Sequence, residues 1–452
     1  MSRAKTKSVA ALLAFAAAFL LAALFCFGFP ARRAHAEDAT ASDALGLMNA
    51  VQNVADGETI TLTDDITQAS EITGTLGLDG HMDIPSKDEP YSFTLDLGGN
   101  TLEIITGSEN WCIEVCPDVS VSIVNGTLKG SSNGNFAVGQ AGTSIALDGV
   151  TVDFTCNAAE SRSVIVAVGK LLVKDTEFVL ANATSPSVGS EGGESGSIEM
   201  DLQSQINLAG NGATVSLDKD YTESVVIPEG KMITLDLNGH TLTSDTDNVA
   251  TVYNDGNLTI VDNGTTKGKI TRAATEADGS ENTYYVIANH GVMTLDGIHV
   301  SNENVEDPSS LIINNIKANG VYEQENPARL TIASGTYSCA GGNVVKNDEY
   351  GVLVIEDGEF TCSEPSGKGA IYAVIQNWAN ATITGGIFTH TDTAEGIAYS
   401  ACAYGGQTSS NNISGGTFSG ATAIYLKPGD DTAGIVQMTV SGTAKIQGVI
   451  AE

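Results

Sequence analysis

Tryptophan and basic residues are scarce in this chain of 452 residues. It contains 2 Trp, and its 21 Lys and Arg stand against 55 Asp and Glu, which gives a formal net charge of −34 at pH 7. Because phosphate repels a protein this negative, the composition argues against nucleic acid or an anionic membrane as a partner. The same charge favours solubility, and bound calcium is an expectation that rests on charge alone.

Catalytic and metal-binding motifs are scarce as well. No C-x-x-C spacing points to a zinc site, and H-E-x-x-H does not occur. The polygalacturonase-like combination of Asn-Thr-Asp, paired Asp, Gly-His-Gly and Arg-x-Lys is incomplete, and Asn289-His290-Gly291 is its nearest approach. We therefore assign no catalytic or cofactor-binding residue from the sequence, and the metal ligands stay unassigned.

The first 36 residues have the order of a secretory signal peptide. A basic start precedes the apolar run 9–29, and Ala34-His35-Ala36 provides a small-x-small cleavage site. We predict that residues 1–36 are removed and that the mature chain is secreted or held at the cell surface, with no membrane span. An uncleaved anchor is the alternative, because the run is long enough to cross a bilayer.

Short β-strand patterns fill the rest of the chain. Hydrophobic residues make up 42% of the full chain, and in these patterns they alternate with polar ones, as Ile233, Leu235 and Leu237 do with Thr234 and Asp236. This alternation has the period of a strand with one buried face. Together with the hydrophobic fraction, it excludes disorder for most of the mature chain.

Four short motifs occur twice in the same order. Residues 95–102 (LDLGGNTL) correspond to 235–242 (LDLNGHTL), and residues 58–65 (ETITLTDD) correspond to 213–220 (ATVSLDKD). A duplicated unit is the simplest explanation. We predict a first unit at 37–182, a second and longer unit at 198–452, and a flexible linker at 183–197, where Ser, Gly and Glu dominate.

A finer repeat ends in an aromatic residue. Tyr337, Phe360, Phe388 and Phe418 follow similar strand-Gly motifs and are 23, 28 and 30 residues apart. A unit this short cannot bury its own core, so it must stack on copies of itself as a solenoid. The aromatics would then form one internal ladder, and corner Asn and Thr residues could form hydrogen-bonded ladders. A β-sandwich array is the alternative, although its repeat would be longer.

Two segments carry a helical pattern instead. Ser42 to Val54 places Leu47, Ala50 and Val51 on one face, with Ser42 as N-cap. A weaker candidate covers residues 198–208 before the second unit. A helix at either position would cover the open strand edges at the start of a solenoid.

These motifs together resemble one family. The helix, the T-I-T-L-x-x-D strand, L-D-L-N-G-H-T-L and the repeated I-x-x-G-x-F are similar to right-handed parallel β-helices of the pectate-lyase-like superfamily. More narrowly, they resemble exported adhesin-like β-helix proteins of Gram-positive gut bacteria, over most of residues 55–450. The resemblance implies an all-β fold, a duplicated right-handed parallel β-helix with short N-terminal capping helices. It does not choose between adhesin and enzyme.

Six cysteines follow the predicted signal peptide, and two of them occupy equivalent positions in consecutive repeats. Cys339 ends Thr336-Tyr-Ser-Cys and Cys362 ends Glu359-Phe-Thr-Cys. If the repeats are adjacent coils, these two residues stack at a distance that a disulfide accepts. An exported protein permits that bond, and two unlinked thiols are the alternative.

Trp378 lies in the polar stretch Gln376-Asn-Trp-Ala-Asn380, which suggests an exposed ring that could stack on a sugar. Core packing is the alternative for this ring.

Our first hypothesis for function is a secreted or cell-surface scaffold that binds a polysaccharide, mucin or cell-surface glycan without catalysis. The second is a polysaccharide lyase or glycoside hydrolase of the same fold, and the third is a truncated relative of a larger surface protein.

Overall fold

The computed structural model describes residues 38–67, 81–106, 111–191, 194–273, 284–302, 309–317, 321–363, 372–403, 407–427 and 434–452. The predicted signal peptide lies outside these residues. The chain divides into two units, Met1–Asp201 and Leu202–Glu452. No helix in the described ranges has both the length and the apolar character needed to cross a membrane.

Both units are parallel β-solenoids. Successive strands of each main sheet pair in parallel and come from consecutive coils. In the described ranges, one short antiparallel pair joins Ser190–Glu191 to Glu194–Ser195. A β-sandwich would require antiparallel hairpins throughout. The solenoid prediction is therefore confirmed, and the sandwich alternative is wrong.

Unit 1 contains two main sheets. The larger sheet comprises, in spatial order, Ala39–Ala41, Glu58–Leu62, Tyr91–Asp96, Val119–Ser132, Ser144–Cys156, Lys170–Lys174 and Ser197–Met200. Two further strands, Thr101–Ile105 and Glu177–Ala181, pair with the second halves of its two longest strands. The smaller sheet comprises Met82–Ile84, Trp111–Val115, Asn135–Gly139, Ile165–Ala167 and Ser187–Val188. A short separate pair joins Arg162–Ser163 to Ala183–Thr184.

Unit 2 has three strands in each complete coil, and they form three faces. Face A comprises Ala213–Ser216, Met232–Asp236, Asn257–Val261, Val292–Asp296, Arg329–Ile332, Val352–Ile355, Asn380–Ile383, Thr408–Ile413 and Ile435–Val440. Face B comprises Tyr221–Thr222, Thr241–Ser244, Lys269–Arg272, Ile298–Asn302, Gly335–Cys339, Glu359–Cys362 and Ile387–His390. Face C comprises Val225–Ile227, Val252–Asn254, Ile287–Asn289, Ile312–Asn314, Val345–Asn347, Ala373–Asn377 and Ile397–Cys402. The strand Thr417–Lys427 extends faces B and C and pairs with Lys445–Ala451.

The core of unit 2 consists of stacked columns of identical or similar side chains. On face B, Tyr337, Phe360, Phe388 and Phe418 lie in register, and their ring centroids are 4.9, 4.8 and 4.5 Å apart. The rings are nearly parallel and fully buried. The aromatic ladder predicted from the repeat spacing is confirmed.

Each unit begins near a helix that packs onto its first coil. Helix α1, Ala44–Asn53, buries Leu47, Met48 and Val51, and helix α2, Leu202–Leu208, buries two aliphatic side chains in the core of unit 2. The N-cap of α1 is Asp43, whose Oδ1 accepts a hydrogen bond of 2.7 Å from the Gly46 N–H. The assignment of Ser42 as N-cap was wrong by one residue, because both side chains have capping chemistry.

The described residues of the segment 183–197, which exclude 192 and 193, contribute strands to unit 1. Ser187–Val188 pairs with Val166 and Ala167, and Ser197–Met200 pairs with Lys170–Val173. Residues 198–200 were predicted to be helical but belong to the strand Ser197–Met200. Helix α2 therefore begins at Leu202. Composition suggested a linker because short polar residues dominate. Backbone pairing with the preceding coil does not depend on side-chain polarity, and it gives these residues their strands.

The duplicated motif has the same local structure in both units. Asp96 Oδ1 accepts a hydrogen bond from the Gly98 N–H, and Asp236 Oδ1 accepts one from the Asn238 N–H, both at 2.9 Å. Gly98 and Asn238 have φ values of 60° and 47°. Glycine and asparagine tolerate this left-handed conformation, which explains why these two residue types occur at this position.

Candidate functional site

A column of buried asparagines, the asparagine ladder, ends five consecutive strands of face C. It consists of Asn254, Asn289, Asn314, Asn347 and Asn377, each fully buried. The Nδ2 of each residue donates to the Oδ1 of the next, at 2.7–2.8 Å. Buried amides are tolerated when they are hydrogen-bonded. The ladder therefore fixes the register of face C and the direction of its neighbouring side chains.

The residue before each ladder asparagine points away from the core. These positions are in register and form an outward row of Tyr253, Ala288, Ile313, Lys346 and Gln376. We use the term flank for this row and for the neighbouring side chains that pack on it. The neighbouring side chains are Tyr284, Tyr285, Lys317, Tyr322, Asp348 and Trp378. The flank brings aromatic, basic and acidic side chains together on one surface of unit 2.

One half of the flank is apolar and aromatic. Ala288 and Ile313 form a small buried cluster, separate from the main core, and Tyr253, Tyr284 and Tyr285 pack against it. The rings of Tyr284 and Tyr285 lie edge to face, with centroids 4.9 Å apart. All three tyrosines are partly exposed. Rings with one buried edge and one accessible face present a rigid apolar surface with a polar tip.

The other half of the flank carries charge between aromatic rings. Lys346 Nζ lies 4.0 Å from the ring centroid of Trp378 and 3.3 Å from Asp348 Oδ2. Tyr322 interacts with the same carboxylate, and Lys317 Nζ lies 4.5 Å from the centroid of the Tyr322 ring. Cations over ring faces are attracted by the ring quadrupole. The arrangement fixes five side chains in one connected band.

Asp348 is the electrostatic centre of this band. Only 3% of the residue is exposed, and this burial raises the pKa of its carboxyl, whereas Lys346, Tyr322 and Lys317 oppose the rise. Burial also raises the pKa of the Tyr322 hydroxyl, and the nearby Asp348 charge adds to that rise. Asp348 Oδ1 has no hydrogen-bond partner among the described residues. A buried oxygen without a partner is costly.

Trp378, the predicted sugar-stacking residue, lies in the flank and is partly exposed. Its ring face toward Lys346 is covered by the ammonium group. A ligand can therefore reach only the remaining surface of the indole. The prediction that Trp378 stacks on a ligand stays a prediction.

Cys339 and Cys362 are directly opposite each other on face B. Both thiols donate to the carbonyl oxygen of Gly342, at 3.9 and 3.4 Å, and both residues are buried. The structure therefore contains the pair as thiols whose sulfur atoms converge on one carbonyl. The adjacency inferred from the repeat is confirmed, and the disulfide stays a prediction.

Residues with catalytic spacing are used structurally. Asn289, in the nearest approach to a polygalacturonase pattern, belongs to the asparagine ladder. Gly130-Ser-Ser-Asn-Gly134 has G-x-S-x-G spacing, but Ser132 is buried, donates to the Asn135 carbonyl and accepts from the Gly134 N–H. A catalytic serine needs an exposed hydroxyl beside a base.

In unit 1, the described side chains of His81, Asp83 and Glu114 could hold a metal ion.

The chain was compared with family models, curated proteins and solved structures, and none of the three comparisons gives a match.

Most residues of the flank were not predicted from the sequence. The ladder asparagines are separated by 35, 25, 33 and 30 residues, so no fixed period marks them. A weaker signal does exist, since each follows an aliphatic residue two positions earlier, as in Val252-Tyr-Asn254 and Val345-Lys-Asn347. Aligning the face C strands on this pattern would have placed Tyr253 and Lys346 in one row.

Proposed function

We propose that the protein is a secreted or cell-surface scaffold that binds a glycan along the flank without catalysis. The combination of partly exposed aromatic and polar side chains in the flank is the single observation that carries this proposal. The resemblance to exported adhesin-like β-helices and to the pectate-lyase-like superfamily belongs to the same proposal, as does export directed by residues 1–36.

The chemistry of the flank suits a sugar chain. A pyranose ring presents C–H groups on its faces and hydroxyls around its rim. The partly exposed rings of Tyr253, Tyr284 and Tyr285 offer apolar surfaces for the former. Lys346 and Gln376 of the outward row are partly exposed and offer hydrogen-bonding groups for the latter. Coils repeat at roughly 4.8 Å, which is close to the length of one sugar residue in an extended chain.

A binding experiment with matched variants tests the proposal. The mature chain would be titrated with plant polysaccharides, mucin glycans and cell-surface glycans, and Tyr285→Ala and Trp378→Ala compared with Ile387→Ala. Ile387 is exposed on face B, whereas the flank lies on face C, so its loss should leave affinity unchanged. Loss of an aromatic contact worth about 1.4 kcal/mol weakens binding about tenfold. Equal affinity of all three variants would contradict a binding site on the flank.

The same incubations test the enzymatic alternative. Release of reducing or unsaturated ends would show that the protein is a hydrolase or lyase. Binding without product would support the non-catalytic scaffold. Export is tested by intact-mass measurement of the protein from the culture medium. We expect a mature N-terminus at Glu37, and a retained leader would contradict cleavage.

A further inference from the structure

Three side chains with metal-binding chemistry converge on the smaller sheet of unit 1. Asp83 lies in Met82–Ile84 and pairs in register with Glu114 of Trp111–Val115. His81 is two residues before Asp83, and alternate residues of an extended chain project to the same side. Two carboxylates directly opposite each other on neighbouring strands repel and destabilise the pairing. A bound cation would remove this repulsion.

The distances fit one shared ion. One ligand atom from each of His81, Asp83 and Glu114 lies within 4.8 Å of the others, and His81 Nε2 is 3.0 Å from Asp83 Oδ1. In the described part of the chain, Asp83 Oδ1 is a buried atom whose nearest polar contact is His81 Nε2, and His81 Nδ1 makes no hydrogen bond. Buried polar atoms are normally satisfied. A cation shared by the imidazole and the two carboxylates would satisfy the carboxylate oxygen.

Surrounding side chains hold the cluster in place. Gln140 donates a hydrogen bond to Glu114 Oε1, and the Trp111 ring lies edge to face with the imidazole, with ring centroids 6.3 Å apart. The side chains of His81 and Asp83 are 14% and 33% exposed, which leaves a path for an ion. Contacts of this kind orient metal ligands and tune affinity.

We propose that His81, Asp83 and Glu114 form a site for a divalent transition-metal ion, with Zn²⁺ as the best match. One imidazole and two carboxylates are a mixed nitrogen and oxygen donor set, which suits Zn²⁺ and its neighbours in the first transition series. Calcium and magnesium take all-oxygen sets, so the imidazole disfavours them. Three protein ligands leave a further coordination position to water. The site lies in unit 1 and does not depend on glycan binding by unit 2.

Calorimetric titration of the full mature chain, prepared without a polyhistidine tag and stripped with a chelator, tests the site. We expect saturable binding of one Zn²⁺ per chain and an increase in thermal stability on loading. Ca²⁺ should bind at least tenfold more weakly. Absence of saturable Zn²⁺ binding, or equal affinity for both ions, would overturn the proposal.

Substitutions assign the ligands. Asp83→Asn and Glu114→Gln preserve side-chain shape and should each weaken Zn²⁺ binding on the order of 100-fold, and Gln140→Ala about tenfold. His240→Ala is the matched control, because His240 Nδ1 contacts Asp220 at 3.4 Å in unit 2 and belongs to no three-ligand group among the described residues. Unchanged far-ultraviolet circular dichroism shows that each variant folds. Wild-type affinity in both carboxylate variants would place the ion elsewhere and refute the site.

Discussion

The asparagine ladder should contribute strongly to local stability, and Asn347→Ala measures that contribution. Asn347 accepts from Asn314 Nδ2 and donates to Asn377 Oδ1, both at 2.7 Å. Each bond is worth about 1 kcal/mol net. After substitution, Asn314 Nδ2 keeps the Val352 carbonyl at 3.2 Å, and Asn377 Oδ1 keeps the Ala379 N–H at 3.3 Å. Because these two groups remain less completely hydrogen-bonded than before, the substitution costs about 1 kcal/mol more. The local free energy of unfolding should therefore fall by about 3 kcal/mol in total.

Hydrogen exchange is the appropriate assay because a solenoid can open coil by coil, so that a single unfolding midpoint is poorly defined. We expect amides of the coils that contain Asn314, Asn347 and Asn377 to exchange on the order of 100-fold faster in the variant. Amides near the first coil of unit 2 should be much less affected. The control is Asn380→Ala, because the Asn380 side chain is exposed although its carbonyl accepts from Asn347. Equal exchange in the two variants would refute the ladder's energetic role.

Three further predictions concern the core and the flank. Phe388→Ala should lower the free energy of unfolding by about 3–5 kcal/mol, seen in thermal melts, since it opens a cavity within the aromatic ladder. Thiol alkylation with and without reductant, followed by intact-mass measurement, should show that Cys339 and Cys362 oxidise to a disulfide in the exported protein; full labelling without reductant would reject this. Burial raises the pKa of Asp348, so the native state holds this proton more tightly than the unfolded chain, and stability falls as pH rises from about 3.9 through the native pKa. Urea unfolding across that range should show this component in the wild type and not in Asp348→Asn; an identical pH dependence would contradict it.

The coil architecture could be predicted because its signals are local and repeated. The aromatic ladder follows from one motif that recurs in Tyr337, Phe360, Phe388 and Phe418, and each copy buries the same position. A buried side chain that must stack on its equivalent in the next coil tolerates little change of type. The core positions of unit 2 can therefore be predicted from the sequence.

The flank could not be predicted because its members come from segments of unequal length. Tyr284 and Tyr285 precede a face C strand, whereas Lys317 and Tyr322 follow one. Which of them meet depends on the register that the asparagine ladder imposes, and that register is a property of hydrogen bonds between coils. The proposed metal site could not be predicted for the same reason, because Glu114 comes close to His81 and Asp83 only through strand pairing.

On face C, the residues that stabilise the coils differ from those that we propose bind a ligand. In each strand that ends in a ladder asparagine, the aliphatic residue and the asparagine face inward and are buried. The residue between them faces outward, and its identity varies from Tyr253 through Ala288, Ile313 and Lys346 to Gln376. Substitution of the outward residue removes no ladder hydrogen bond. The outward residue can therefore change from coil to coil without loss of the ladder, which is a property that a binding scaffold requires and that a single buried catalytic centre does not.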